Sequence, residues 1–369
     1  MYFLNHLMRF RQIVPTLIEI TGGSHPRADP EVVSKYVGDY KRAIIFLIDA
    51  LGKRQMEYFR RPKIGNIYDI KTVVPSLTPT ALLSFVYGME PAEHGIIGGV
   101  IRATGVKGLL RTIEGSVLGA RSSIPLDYVG VDMKAFMIKR PPEFEGTFKV
   151  AVDVLMKYGL SSFFSEYTTA THGMLSSVRD VPEQGVMKLY YRSYDATAHD
   201  FGPYSRQAQL DSRLAAMRMR SIAMSLPERM RKDTLFVILG DHGQDDIVID
   251  GLNMPELRPY IGVAGKVYYV YDQSAMDALE EKLPKEHYEI YEADEFRKFL
   301  GESETDEREL RYRMGDRVIV AKDGHMMRLS ENVPKLKGMH GGLTDEEMDV
   351  RVMFLDRDEL MELTDEVVL

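Results

Sequence analysis

The stretch Val237-Ile238-Leu239-Gly240-Asp241-His242-Gly243-Gln244 runs four apolar or small residues straight into an adjacent carboxylate and imidazole, then a glycine. A buried strand that ends this way presents two metal-type ligands at its carboxyl edge. In open α/β sheets that edge is where ligands bind. The pair alone is ambiguous, because Asp241 can be a turn residue with His242 packed beside it. The fold turns on whether other apolar runs end the same way.

Several do. Residues 41–52 read KRAIIFLIDALG. The run 43–48 has strand length and apolar continuity, as expected for a strand covered on both faces. It ends in Asp49, which would sit at the same sheet edge as Asp241 or serve as a helix cap. Residues 50–59 have helical composition. The β-branched run 70–75 reads as a second strand and leads into Pro75-Ser76-Leu77-Thr78-Pro79. A helix over 79–87 follows, closed by Gly88. Proline is favoured at the first helical position and restricts the residue before it, so Thr78 reads as the N-cap. Its hydroxyl would lie at the positive end of the helix dipole, where an alkoxide or phosphate is stabilised. An ordinary capping role is the commoner fate of such a residue, and Ser76 and Thr80 are weaker nucleophile candidates.

Residues 186–194 read as another strand, followed at once by Asp195, His199 and Asp200. Asp195 and His199 are four apart, so on a helix both project from one face and can hold one ion. Residues 233–240 form the strand of the opening stretch. Near the end, Lys337-Gly338-Met339-His340-Gly341-Gly342 precedes the last apolar strand, 350–355. Two glycines after His340 permit a tight backbone.

The remaining segments are less telling. Residues 1–40 read as irregular, with a Gly/Ser/His/Pro/Arg loop near 22–30. His94 reads as structural, and His172 is a lone histidine in a loop that could touch substrate. Residues 148–158 form a helix candidate. The long helix 204–226 has a partial apolar stripe at Leu210, Leu214 and Met217. Strands over 265–272 and 315–321 and helices over 274–283 and 293–300 suggest a lobe, 245–335, inserted into a core made of 1–244 and 336–369. Residues 276–316 hold 14 Asp/Glu against 7 Lys/Arg, a net of −7. Such a balance fits a solvated surface better than a polyanion groove.

The whole chain has 369 residues, is 44% hydrophobic and carries a formal net charge of −8, so it has ample core but no basic excess for nucleic-acid duplexes. There is no cysteine, which excludes disulfides, thiolate metal sites and Cys nucleophiles. Neither a secretory signal nor a run of roughly 20 apolar residues is present, so the expectation is a soluble cytoplasmic protein without a membrane partner.

Asp49, Thr78, Asp195, His199, Asp241, His242 and His340 together supply three carboxylates, three imidazoles and a hydroxyl. That inventory suits two ions with mixed N/O ligands, Zn²⁺ first and Mn²⁺ or Fe²⁺ also possible. Two ions roughly 4 Å apart can stabilise both the attacking and the leaving oxygen of a phosphoryl transfer. The ordered segments FLIDALG, VVPSLTPTALLSFVYGMEPAEHGIIG, SYDATAHDFGP, VILGDHGQ and MHGGLTDEEM resemble the alkaline phosphatase superfamily, most closely its nucleotide pyrophosphatase/phosphodiesterase branch.

The resemblance implies an α/β fold, a three-layer αβα arrangement with a mostly parallel central sheet interrupted by a smaller lobe. It implies that Asp195, His199 and His340 hold a first metal and that Asp49, Asp241, His242 and Thr78 hold a second. Thr78 would be the nucleophile, with a small phosphate ester, a nucleotide above all, as substrate. The branch usually carries an Asn three residues after the nucleophile, where this chain has Ala81. The disulfides and signal of secreted members are also absent. A sulfatase is disfavoured, since the Cys precursor is impossible and no Ser version of that motif stands at Ser76. Cofactor-independent phosphoglycerate mutases share the metal logic but use a Ser nucleophile and a longer chain. Two alternatives stay open: a phosphomonoesterase or PglZ-like member of the superfamily (MHGGLTDEEM also resembles the latter), and a non-catalytic metal-binding regulator. The regulator is disfavoured because every expected ligand position is filled.

Overall fold

The computed structural model describes residues 8–58, 66–104, 106–112, 116–117, 164–168, 181–303, 307–329 and 335–365. The helix expected over 148–158 and His172 lie outside the described residues.

Six strands make the central sheet: β1 (Arg42–Ile48), β2 (Ile67–Lys71), β3 (Phe164–Thr168), β4 (Gly185–Tyr191), β5 (Thr234–Leu239) and β6 (Asp349–Leu355). They lie in the order β2-β6-β5-β1-β4-β3. The pairings of β5, β1, β4 and β3 are parallel, whereas β6 runs antiparallel to both β5 and β2. The sheet is therefore mostly parallel, with one reversed strand. That reversal matters for the site. His340 precedes its strand, while Asp49, Asp195 and Asp241 follow theirs, and only an antiparallel β6 brings its entry to the edge where the others exit.

The uninterrupted apolar runs are explained by burial on both faces. On β1, Ala43, Ile45 and Leu47 join one core while Ile44, Phe46 and Ile48 join another. Strand β5 divides the same way, Leu235, Val237 and Leu239 against Phe236 and Ile238. One layer includes the helices Ile13–Ile20 and Thr78–Tyr87; the other includes Ser193–Phe201 and Arg206–Ser225.

A second sheet is antiparallel throughout. It runs Tyr288–Glu292, Arg317–Ala321, Val267–Val270, Ile261–Ala264, Val100–Ile101, Leu110–Arg111 and Ser116–Val117. The helix Gln273–Lys282 packs on it through Ala275, Met276 and Leu279. The short strands Val100–Ile101, Leu110–Arg111 and Ser116–Val117 thus extend the sheet that the 245–335 segment begins.

Five local expectations differ from the structure. The strand expected over 70–75 is Ile67–Lys71, and 72–75 form the loop that leads to Thr78. Residues 1–40 hold two helices, Ile13–Ile20 and Pro30–Tyr36, instead of irregular chain. The first is buried on nearly every side, so no polar face marks its period. The second is capped by Asp29, whose carboxylate accepts from the N–H groups of Glu31 and Val32. After Asp49 the chain forms a 3₁₀ turn at Gln55–Tyr58, not a helix from residue 50, because Ala50 takes a left-handed conformation (φ 61°) that interrupts helical propagation. The helix Thr78–Tyr87 starts one residue early, so Leu77 is the cap and Thr78 the first helical residue. On Arg206–Ser225, Leu214 and Met217 are 42% and 39% exposed. The buried face is Ala208, Asp211, Ser212, Ala215, Ala216, Met219, Ile222 and Ala223, where small side chains predominate beside the helices Ser193–Phe201 and Arg357–Asp365.

Candidate metal centre

Each strand exit delivers one part of the site. β1 delivers Asp49. β4 runs into Ser193–Phe201, where Asp195 and His199 share a helix face as their spacing predicts. β5 delivers Asp241 and His242. Thr72, just past β2, donates through its hydroxyl to the Asp241 carbonyl at 2.5 Å, which fixes the path toward Thr78. His340 arrives on a loop joined to the β5 exit by a two-stranded ribbon, Asp245–Asp246 against Gly338–Met339. Gly243 must be glycine, since a Cβ there would stand 1.9 Å from the Glu346 carbonyl on the chain leading to β6.

The seven residues expected from the sequence converge. Asp49, Asp241 and His242 form one group of candidate ligands, and Asp195, His199 and His340 a second; within each, the ligand atoms lie within 4.8 Å of one another. His199 Nε2 is 3.2 Å and His340 Nε2 3.5 Å from Asp195 Oδ1. His242 Nε2 is 3.6 Å from Asp49 Oδ1 and 3.5 Å from Asp241 Oδ2. The His242 and His340 rings stack at 3.9 Å, so the groups adjoin. Thr78 Oγ lies 3.0 Å from His242 Nε2 and donates to Asp49 Oδ1 at 3.3 Å.

The donor set fits divalent cations. Nδ1 of His199 faces the Gly338 carbonyl at 2.8 Å, that of His340 the Ser76 carbonyl at 2.9 Å, and that of His242 the Gly243 carbonyl at 2.9 Å. A carbonyl only accepts, so each Nδ1 carries the proton and each Nε2 turns a lone pair inward, the arrangement typical of metal-ligating histidines. The carboxylates are held by one oxygen. Asp241 Oδ1 accepts from the N–H groups of Ala50 (3.0 Å) and His242 (3.2 Å), while its Oδ2 is fully buried without a partner. Tyr190 donates its hydroxyl to Asp49 Oδ2, leaving Oδ1 toward Thr78 and His242. A buried carboxylate oxygen with no donor carries a desolvation penalty that a cation removes.

Electrostatics agree. Burial, with the negative charges of Asp241 and Asp195, pushes the Asp49 carboxyl well above the usual carboxylate range. Burial chiefly, with the Asp195 charge adding, also raises Asp241. Burial would raise Asp195 too, but the hydrogen bond and charge of His199, then the charges of His340 and His242, lower it to about 2. His199 is raised, its burial outweighed by Asp195. Burial and the neighbouring His242 hold His340 well below an ordinary imidazole. Two neighbouring carboxyls both held above their ordinary range mark a place where positive charge is wanted.

Other candidates fall elsewhere. His94 is buried against Ser84 Oγ at 3.0 Å and belongs to neither group, as expected of a structural histidine. Ser76 donates to the Gly342 carbonyl (2.9 Å) and accepts from Gly341 N–H (3.1 Å), so it shapes the His340 loop. Three supports were not visible in the sequence: Tyr190, Gln244 and the buried pair Lys266–Glu347 (3.2 Å). Tyr190 is one of two tyrosines ending a strand that also carries Lys188, so nothing local distinguishes it.

Comparison with known proteins gives the following. The family model described as type I phosphodiesterase / nucleotide pyrophosphatase matches residues 121–343, more than half the chain. No curated protein matches the chain significantly. Among solved structures, an inactive threonine-to-alanine variant of murine ectonucleotide pyrophosphatase / phosphodiesterase 5 in complex with AMP superposes with a TM-score of 0.54 at 15% identity, over 84% of this chain and 87% of that one. The human ectonucleotide pyrophosphatase / phosphodiesterase 5 gives 0.55 at 14% identity, over 85% and 87%. At that identity the likeness is one of fold.

Proposed function

The chain belongs to the type I phosphodiesterase / nucleotide pyrophosphatase family, and from that premise we propose that it is a two-metal hydrolase of small phosphodiesters or pyrophosphates, nucleotides above all, acting through a covalent threonine intermediate. The observation that carries this reading is the placement of Thr78 Oγ 3.0 Å from His242 Nε2 and 3.3 Å from Asp49 Oδ1, beside two groups of candidate ligands. The AMP held by the murine relative supports the nucleotide.

In this reading Asp195, His199 and His340 hold one divalent cation and Asp49, Thr78, Asp241 and His242 the other, Zn²⁺ first, with Mn²⁺ or Fe²⁺ as alternatives. Bound there, the cations would neutralise phosphate charge and acidify both the Thr78 hydroxyl and an attacking water. Thr78 Oγ forms a bond to phosphorus as the bond to the leaving oxygen breaks, and the leaving group departs protonated. Water then attacks the same phosphorus, the bond to Oγ breaks, and the hydroxyl is restored. The start of the Thr78–Tyr87 helix aims its dipole at the phosphate. Thr80, whose buried hydroxyl lacks a partner, stands beside Ala81, where the family usually has its amide donor. The chain is divided, on the same reading, into a catalytic core of 1–244 and 336–369 and a lobe of 245–335, to whose sheet Val100–Ile101, Leu110–Arg111 and Ser116–Val117 contribute.

Ala81 also favours one second reading, a phosphomonoesterase, because it removes a contact expected for the nucleotide branch. Hydrolysis of bis(p-nitrophenyl) phosphate against p-nitrophenyl phosphate separates the two; a clear monoester preference overturns the first. Thr78→Ala lowers turnover on the order of a thousandfold or more and abolishes any phospho-adduct. Undiminished activity in that variant removes Thr78 as the nucleophile.

A further inference from the structure

Gln244 is fully buried, directly downstream of Asp241-His242-Gly243. Its side-chain Nε2 donates to Asp195 Oδ1 at 3.3 Å, so a residue of the loop carrying one ligand group reaches the carboxylate of the other. The opposite amide orientation would set a carbonyl against a carboxylate and is excluded by repulsion. The backbone of Gln244 is fixed as well. Its carbonyl accepts from Gln55 Nε2 at 3.0 Å, and Gln55 is itself fully buried. On the other side, Gln244 Oε1 has no hydrogen-bond partner and packs against Gly338, where a Cβ would stand 3.1 Å from it. Gly338 is also the residue whose carbonyl orients His199. One amide therefore touches Asp195 on one side and the His199 support on the other.

We propose that Gln244 is a positioning residue that locks Asp195 and His199 to the Asp241-His242 loop, setting the affinity of the Asp195/His199/His340 group for its divalent ion while leaving the other group's affinity unchanged. The inference rests on the two-metal reading above. Asp195 and His199 lie 3.2 Å apart on one helix, and that proximity cannot fix the helix against the sheet. Gln244 supplies the connection to a different strand exit. Outer partners of this kind change metal affinity by about 10- to 100-fold.

The test is a Zn²⁺ titration of the chelator-stripped, full-length protein, read by heat and by bound-metal stoichiometry. The His199→Ala variant identifies which binding event belongs to the Asp195 group. Gln244→Met keeps the buried volume and removes the amide; Gln244→Ala replaces it should that protein fail to accumulate. Expected is a weakening of the Asp195-group event by about tenfold or more, with the second event and the metal-free melting temperature unchanged. Two events at wild-type affinity overturn the inference. So does an equal loss at both with a lowered melting temperature, which is the outcome of a merely structural role. If the wild-type protein binds no Zn²⁺ at all, the two-metal reading fails first and takes the inference with it.

Discussion

Asp49 shows how a buried candidate cation ligand burdens the protein. Its carboxyl is raised by burial and by the charges of Asp241 and Asp195. A raised carboxyl means that the folded chain binds this proton more tightly than the unfolded chain does. The ionised form therefore works against folding, and increasingly so as pH rises above the ordinary value of 3.8 through the folded-state one. Asp49→Asn removes that charge while keeping an acceptor for the Tyr190 hydroxyl. Expected is a metal-free protein melting a few degrees higher at neutral pH, with one of the two binding events lost; a lower melting temperature contradicts the repulsion argument. The candidate ligand residues were legible as a cluster because most stand at or near the end of an apolar run, where a polar side chain is conspicuous. Gln244 and Tyr190 were not. Their roles depend on partners 49 and 141 positions away, and nothing local marks a glutamine or tyrosine as a brace.

Between elements, the link to weigh is the hairpin of the second sheet, Ile261–Ala264 to Val267–Val270, whose tip meets the His340 loop. Gly265 (φ 64°) lies so close that a Cβ would stand 2.0 Å from the His340 carbonyl. Lys266 pairs with Glu347 at 3.2 Å, both fully buried. Glu347 also accepts from the N–H groups of Gly342 and Thr344 and from the Thr344 hydroxyl. Removing one partner of a buried pair leaves the other charge stranded, so Lys266→Met is expected to lose ~3–5 kcal/mol in urea denaturation. Glu347→Gln added to it recovers part of that loss, because a glutamine carbonyl still serves Gly342 or Thr344. Equal loss in the single and double variants removes the pairing argument. Element type was legible wherever period or apolar continuity was clean, as in β1, β5 and the D-x-x-x-H helix. Failures fell where tertiary packing overrode it. Ile13–Ile20 lacks a polar face because it is enclosed, and Arg206–Ser225 exposes Leu214 and Met217 while burying a side lined largely by alanines, so its apolar stripe misleads.

At the scale of the molecule, the candidate site is an edge of a sheet that is complete without it. The two cores flanking the central sheet contain none of the ligand side chains. The direction of β6 was not readable in its apolar sequence, since parallel and antiparallel strands buried on both faces look alike; His340 before the strand was the available hint. Because sheet and ligands are separable, metal removal should affect stability and activity differently. An ion that binds only the folded chain contributes ~2.7 kcal/mol at a free concentration 100 times its dissociation constant. Stripping with a chelator is expected to lower the melting temperature and end hydrolysis while far-ultraviolet circular dichroism stays native, and Zn²⁺ or Mn²⁺ should restore both. Among the described residues no helix is long and apolar enough to cross a membrane. Loss of secondary structure on chelation would mean that the ions hold the sheet edge together, making them part of the fold as well as of the chemistry. Hydrolysis surviving complete chelation would leave the Asp241 oxygen and the three inward-facing imidazoles without their explanation.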